Sequence, residues 1–185
     1  TETGLFVSLT GGESWTRFTG AFPTVPVDDV VIHPRDNDLV VGTHGRSIYV
    51  LDDISWLSGV RSPSVLTADV HLFPPRAAIV KQLWKHESYM AQRQFIGPNP
   101  PQGSVITYHL ASPSEVKVVV RGPDREVVRE LPATGEAGFN RVVWDLRAAP
   151  PEGVPGARGP HVLPGKYTVY LAAAGGAIPA TLQVD

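Results

Sequence analysis

The 185 residues carry a formal net charge of −2, and Lys plus Arg (16) are interspersed with Asp plus Glu (18) without a basic run, which excludes nucleic acid as the main partner. Cysteine is absent, so neither a disulfide scaffold nor a thiolate metal site is available, and no apolar run reaches the roughly 18 residues of a membrane-spanning helix. Hydrophobic residues at 42% exclude disorder throughout, while 18 glycines and 18 prolines cut the chain into short segments that favour β architecture.

In chain order, Leu5–Leu9 reads as a short strand, followed by a turn at Thr10-Gly11-Gly12-Glu13-Ser14 and a second strand at Trp15–Phe18. Val27–His33 is a third strand stopped by Pro34, and Arg35-Asp36-Asn37-Asp38 is a polar hairpin turn. Leu39–Thr43 returns as a fourth strand, Gly45-Arg46 turns, and Ser47–Leu51 is a fifth. Such short strands with short loops are the pattern of meanders and propeller blades. A weak internal repeat relates Gly4–Val7 ending at Ser14-Trp15 to Ser47–Val50 ending at Ser55-Trp56, an offset of roughly one blade. Because the chain opens on Thr1-Glu2-Thr3-Gly4, without initiator Met or signal peptide, it reads as processed or cut from something longer.

The middle is less regular. Val70–Phe73 is a strand candidate ended by Pro74-Pro75. From Ala77 to Phe95, Val80, Trp84, Ala91 and Phe95 give a partial helical period, with an extended strap as the rival, and Gly97–Pro101 is a rigid linker. Six strand candidates follow at 105–110, 115–121, 126–131, 140–146, 166–172 and 180–184, most of them separated by turn signals such as Gly122-Pro123-Asp124 and Leu163-Pro164-Gly165. That spacing suggests an immunoglobulin-like β-sandwich. The organisation expected is therefore a propeller blade segment over 1–57, a connecting strap over 58–102 and a sandwich over 103–185, all-β throughout.

Two motifs carry a resemblance. Ser8-Leu9-Thr10-Gly11-Gly12-Glu13-Ser14-Trp15 resembles the Asp-box, or BNR, motif Ser-x-Asp-x-Gly-x-Ser/Thr-Trp, with Ser8, Gly12, Ser14 and Trp15 in place and Thr10 where the carboxylate belongs. Asn140–Arg147, containing Trp144-Asp145-Leu146-Arg147, followed by Pro164-Gly165-Lys166-Tyr167, resembles the immunoglobulin-like module of flagellar hook-capping proteins. With the stretch from Val27 to Trp56, the whole looks like the closing region of large bacterial sortilin-like BNR-repeat proteins, often called glycosyl hydrolases by similarity. The resemblance implies an exported location, a Trp15 packed between blades, and no catalytic motif, metal or cofactor to carry over.

His44, Arg46, Asp52 and Asp53 form the densest polar cluster. Read functionally, imidazole and carboxylates do acid–base work and Arg46 binds an anionic sugar. Read structurally, Gly45-Arg46 turns a hairpin and Asp52-Asp53 caps a short helix at Ile54-Ser55-Trp56. Asp28 and Asp29 do not make a glycosidase pair in a regular strand, since adjacent residues face opposite sides. Asp36-Asn37-Asp38 reads as a turn in preference to a calcium loop. Arg46 and Tyr49 match a sialidase site in type alone, and His71, His86, His109 and His161 lack metal-ligand spacing. Val142, Trp144 and Leu146 share an apolar face, which makes Trp144 core, with Asp145 and Arg147 opposite. The function expected is non-catalytic: structural closure of a propeller, or binding of a protein or polysaccharide through it. The alternatives are part of a glycoside hydrolase whose active site lies on upstream blades, and a peptide-binding sortilin-like propeller.

Overall fold

The computed structural model of the protein describes residues 2–19, 22–61, 63–80 and 100–185, and it is all-β, built from several antiparallel sheets. The chain divides into two units, Thr1–Thr67 and Ala68–Asp185.

In the first unit, β1 (Phe6–Val7) and β2 (Thr16–Arg17) form a two-stranded hairpin. A three-stranded meander follows, with β3 (Val27–Ile32), β4 (Leu39–Thr43) and β5 (Ile48–Leu51) in the order β3-β4-β5. All five strands fall on the runs read from the sequence. The β3–β4 turn closes because His33 N–H donates to Asp38 O at 2.8 Å and Asn37, at φ 52°, donates to His33 O at 2.9 Å; Asn tolerates this left-handed conformation better than most residues. Cross-strand register assigns the faces. Val30, Val41 and Tyr49 lie in one row and Ile32, Leu39 and Leu51 in another on the same side. Val31, Val40 and Val50 lie in a row on the other side, beside Asp29, Gly42 and Ile48. Both faces are thus largely apolar. Val41 is buried and Phe22 packs edge-on against Tyr49 at 5.0 Å, but Val30 and Ile32 on that side stand 45% and 54% exposed, and Val31, Ile48 and Val50 on the other 51%, 70% and 57%.

The internal repeat does not extend past β5. Asp53 takes φ 47° and its Oδ1 accepts the Ser55 N–H at 3.1 Å, so the chain enters a 3-10 helix at Ser55–Arg61 and then α1 (Pro63–Thr67). Trp56 therefore sits in a helix where Trp15 opens a strand, and the capping role expected of Asp53 is the one it performs.

The second unit comprises β6 (Val70–Leu72), β7 (Ser104–Leu110), β8 (Lys117–Arg121), β9 (Val127–Pro132), β10 (Gly138–Trp144), β11 (Gly165–Ala173) and β12 (Gly176–Val184). They form a three-stranded sheet in the order β10-β7-β6 and a four-stranded sheet in the order β12-β11-β8-β9. One buried cluster draws on both: Ile106, Tyr108, Leu110 and Trp144 from the smaller sheet, Val118, Val120, Val169, Leu171 and Leu182 from the larger. These residues alternate along their strands, as a sheet covered on one face requires. The opposite face of the larger sheet is mixed, with Lys117 paired to Glu130 and the Arg121 guanidinium 5.7 Å over the Tyr170 ring.

The stretch read as a strap is divided in what it does. Its first residues belong to the helices of the first unit, while β6 joins β7 and Ala78 pairs in parallel beside Val184, donating to Gln183 O at 2.8 Å. That pairing occupies an edge of β12 that would otherwise be open. The helix-or-strap question over Ala77–Phe95 falls almost wholly outside the described residues, as do His86 and most of the linker Gly97–Pro101.

Gly103 enters β7 at φ 120°, and a Cβ there would lie 2.0 Å from the Trp144 carbonyl oxygen. Trp144 itself is fully buried, donates Nε1–H to Arg147 O at 2.9 Å and meets the Tyr167 ring edge-on at 5.5 Å. Leu146 is buried too, but not by strand alternation: β10 ends at Trp144, and Leu146 turns inward at φ 56°. Replacing Trp144 with Ala is expected to cost about 3–5 kcal/mol of stability, and Val143→Ala on the outer face under about 1 kcal/mol, by urea denaturation. Equal losses at both positions would show that this ring does not anchor the core.

Candidate functional site

The Ser8–Trp15 turn is held by hydroxyls. Ser8 Oγ accepts the Gly12 N–H at 2.8 Å and the Thr10 N–H at 3.3 Å. Thr10 Oγ1 accepts the Ser14 N–H at 2.9 Å and lies 3.0 Å from Ser14 Oγ. Thr10 therefore supplies the side-chain acceptor that a carboxylate would otherwise bring to this position. Gly11 and Gly12, at φ 69° and 100°, make the bend without a steric cost. Trp15 leaves the turn with Nε1–H donated to Gly12 O at 3.1 Å and is 64% exposed.

Across from this hairpin, β3 carries a bulge. Val27 pairs with Thr43 and Asp29 with Gly42, so Asp28 is the extra residue. A bulge interrupts strict alternation and re-aims side chains, and the argument that separates Asp28 from Asp29 in a regular strand does not hold through it. Both residues line an open hollow of about 520 Å³, together with Val27 on their own strand and Leu5, Phe6 and Trp15 of the hairpin segment. Asp29 Oδ1 accepts the Val30 N–H at 2.8 Å, and Asp28 Oδ2 lies 3.3 Å from His44 Nδ1.

The four residues singled out as a polar cluster do not converge. His44 and Arg46 sit in the β4–β5 turn, where Gly45 and Ser47 take φ 71° and 79° and Thr43 Oγ1 donates to Ser47 O at 2.6 Å. Asp52 and Asp53 follow β5 at the other end of the sheet, where Asp53 N–H donates to Asp38 Oδ1 at 2.9 Å and Asn37 Nδ2 to Ser55 Oγ at 3.1 Å. The 4 residues of β5 lie between the two groups, a span of roughly 13 Å at the rise of a strand. His44 gains Asp28 as its neighbour instead, with side chains 81% and 59% exposed. Water competes for such a pair, which is worth at most about 1 kcal/mol and excludes nothing from the solvent. The hollow offers an indole face and carboxylate acceptors, the equipment of a binding surface more than of proton transfer.

Asp36, Asn37 and Asp38 are engaged in the turn: Arg35 binds Asp36 through Nε and Nη2, the latter at 2.7 Å. In the second unit, Tyr167 donates to Leu163 O at 2.7 Å, and burial followed by the Glu126 carboxylate keeps its phenol above the ordinary tyrosine value, so it remains a neutral donor. Gly165 opens β11 opposite Val184. Trp144, Gly165 and Tyr167 thus serve the core. Arg147 reaches across its loop to Gly159 O at 2.8 Å and His161 Nε2 at 2.6 Å, while Asp145 Oδ1 accepts the Arg147 N–H at 3.2 Å. Among the described residues no group of three or more His, Cys, Asp or Glu is placed to hold a metal ion.

No protein-family model, curated protein or solved structure matches the chain.

Thr10→Ala is expected to lower the amide-exchange protection of Ser14 about fivefold, the equivalent of about 1 kcal/mol, while Thr10→Asp preserves it. Unchanged protection in Thr10→Ala would show that the hydroxyl does not hold the turn.

Proposed function

We propose that the chain is a non-catalytic portion of a large exported propeller protein of the BNR-repeat kind, serving structural closure and the binding of a partner, with an immunoglobulin-like sandwich as its second unit. The observation that carries this reading is the β3-β4-β5 sheet, apolar on both faces. A sheet that meets water on one side alternates apolar with polar residues; this one presents Val31, Val40, Val50 and Ile48 where polar residues would stand. Burying each such side chain is worth about 1.5–3 kcal/mol. Blades of a propeller have both faces covered by their neighbours, which gives these side chains a reason. The Ser8–Trp15 turn and the seven-stranded, two-sheet second unit agree with the same architecture.

A second reading concerns the partner. The exposed Trp15 indole over the hollow, with Asp28 and Asp29 in its lining, suits a polysaccharide: the ring stacks on the apolar face of a sugar and the carboxylates accept its hydroxyls.

Two outcomes are expected. Ile48→Thr and Val50→Thr together should reduce apolar-dye binding and self-association of this chain, measured by dye fluorescence and sedimentation velocity, with stability changed by less than about 0.5 kcal/mol; a monomer that binds no dye before substitution would remove the basis of the blade reading. In affinity electrophoresis through gels carrying soluble neutral polysaccharides, the chain should be retarded and Trp15→Ala should run free. Migration of the unsubstituted chain unaffected by every polysaccharide would end the second reading and leave the first untouched.

A further inference from the structure

The face of the smaller sheet turned away from the core carries four rings in contact. Register places His71 of β6 directly opposite His109 of β7, and His109 opposite Phe139 of β10, so one row crosses all three strands. Phe73 follows β6 on the same side, its N–H donating to Thr107 O at 3.1 Å. The His71 and Phe73 rings meet edge-on at 4.7 Å, Phe73 and Phe139 lie 6.1 Å apart, and Phe139 and His109 lie 5.2 Å apart. His109 is 8% exposed, its Nδ1 is buried without a hydrogen-bond partner among the described residues, and Phe73 is 1% exposed. Two imidazoles therefore face each other across a strand pair, on an edge strand of 3 residues, against phenyl rings that offer no acceptor.

We propose that the His71–His109 pair is a proton-operated latch on β6: neutral, it completes the ring cluster and holds the strand to β7; protonated, it loosens that edge of the second unit. Like charges directly opposite on paired strands repel, and a cation among these rings gives up hydration that phenyl rings replace only in part. Among the described residues the charged groups on this face are Arg141 of β10, in register with Thr107, and the exposed Asp69 before β6. Arg141 has interactions of its own, and Asp69, in water, screens little of the repulsion. Burial, and then His109, lower the His71 value below the ordinary 6.5. A histidine depressed in the folded state binds its proton more readily when the strand is free. Its stabilising contribution is therefore present above about pH 6.5 and is lost as pH falls below that value.

The test is amide exchange of the chain at pH 7.5 and 5.0, read as protection factors so that the intrinsic pH dependence cancels. Protection at Val70–Leu72 should fall about tenfold or more at the lower pH while β11 keeps its own, and His71→Phe, which retains a ring and removes the charge, should abolish the difference. Equal protection of β6 at both pH values, or a pH-dependent loss that persists in His71→Phe, would overturn the proposal. Should His71→Phe not fold, the imidazole proton resonances of the unsubstituted chain decide: a His71 midpoint below 6.5 supports the latch, and one of 6.5 or higher refutes it.

Discussion

The second unit depends on the meeting of Trp144 and Tyr167. One ring ends a strand of the smaller sheet and the other stands in β11 of the larger, and their edge-on contact at 5.5 Å lies within the cluster that both sheets share. Each ring has a polar atom that burial would strand, and each is satisfied locally: the indole by Arg147 O and the phenol by Leu163 O. Those acceptors begin and end the long loop between β10 and β11. The same two side chains that fill the core therefore also pin both ends of the β10–β11 loop, which is how a Pro- and Gly-rich loop is kept on a defined path.

The first unit is organised by the opposite circumstance. Its meander is correctly turned and paired, but its side chains ask for more cover than hairpin and helices provide, with Val30 and Ile32 exposed on one side and Val31, Ile48 and Val50 on the other. Turn chemistry compensates in part, with Ser8, Thr10, Thr43 and Asp53 each supplying a side-chain hydrogen bond where the backbone bends.

Most strands were legible in the sequence because the signals that create them are local. Alternation in Val116–Val120 and Tyr167–Leu171, and breakers such as Gly122-Pro123-Asp124, fix strand and turn without reference to distant residues. Trp144 as core was legible for the same reason. What was not legible is what pairing decides. A single extra residue at Asp28 places two acidic residues in the lining of one hollow, and no composition signal marks a bulge. His71 and His109 are scattered in sequence and adjacent only through the register of β6 on β7. The proposed cluster of His44, Arg46, Asp52 and Asp53 failed on a topological point: successive turns of a meander lie at alternate ends, so residues on either side of one strand are near in sequence and far in space. The helix after Asp53 was legible, because Asp52-Asp53 reads as a helix cap and the Asp53 carboxylate accepts the Ser55 N–H there.

Gly103 has a consequence for how this chain can vary. Its missing Cβ is where the Trp144 carbonyl sits, and its φ of 120° is one that side-chain-bearing residues rarely adopt. Backbone cannot withdraw as a flexible side chain can, so the two constraints act together. Gly175, by contrast, has open space around it and an ordinary backbone. Two glycines that composition cannot tell apart thus differ completely in evolutionary freedom. In any set of descendants of this sequence, position 103 should hold its residue as firmly as Trp144 does, because the tryptophan's own backbone enforces it, while position 175 drifts.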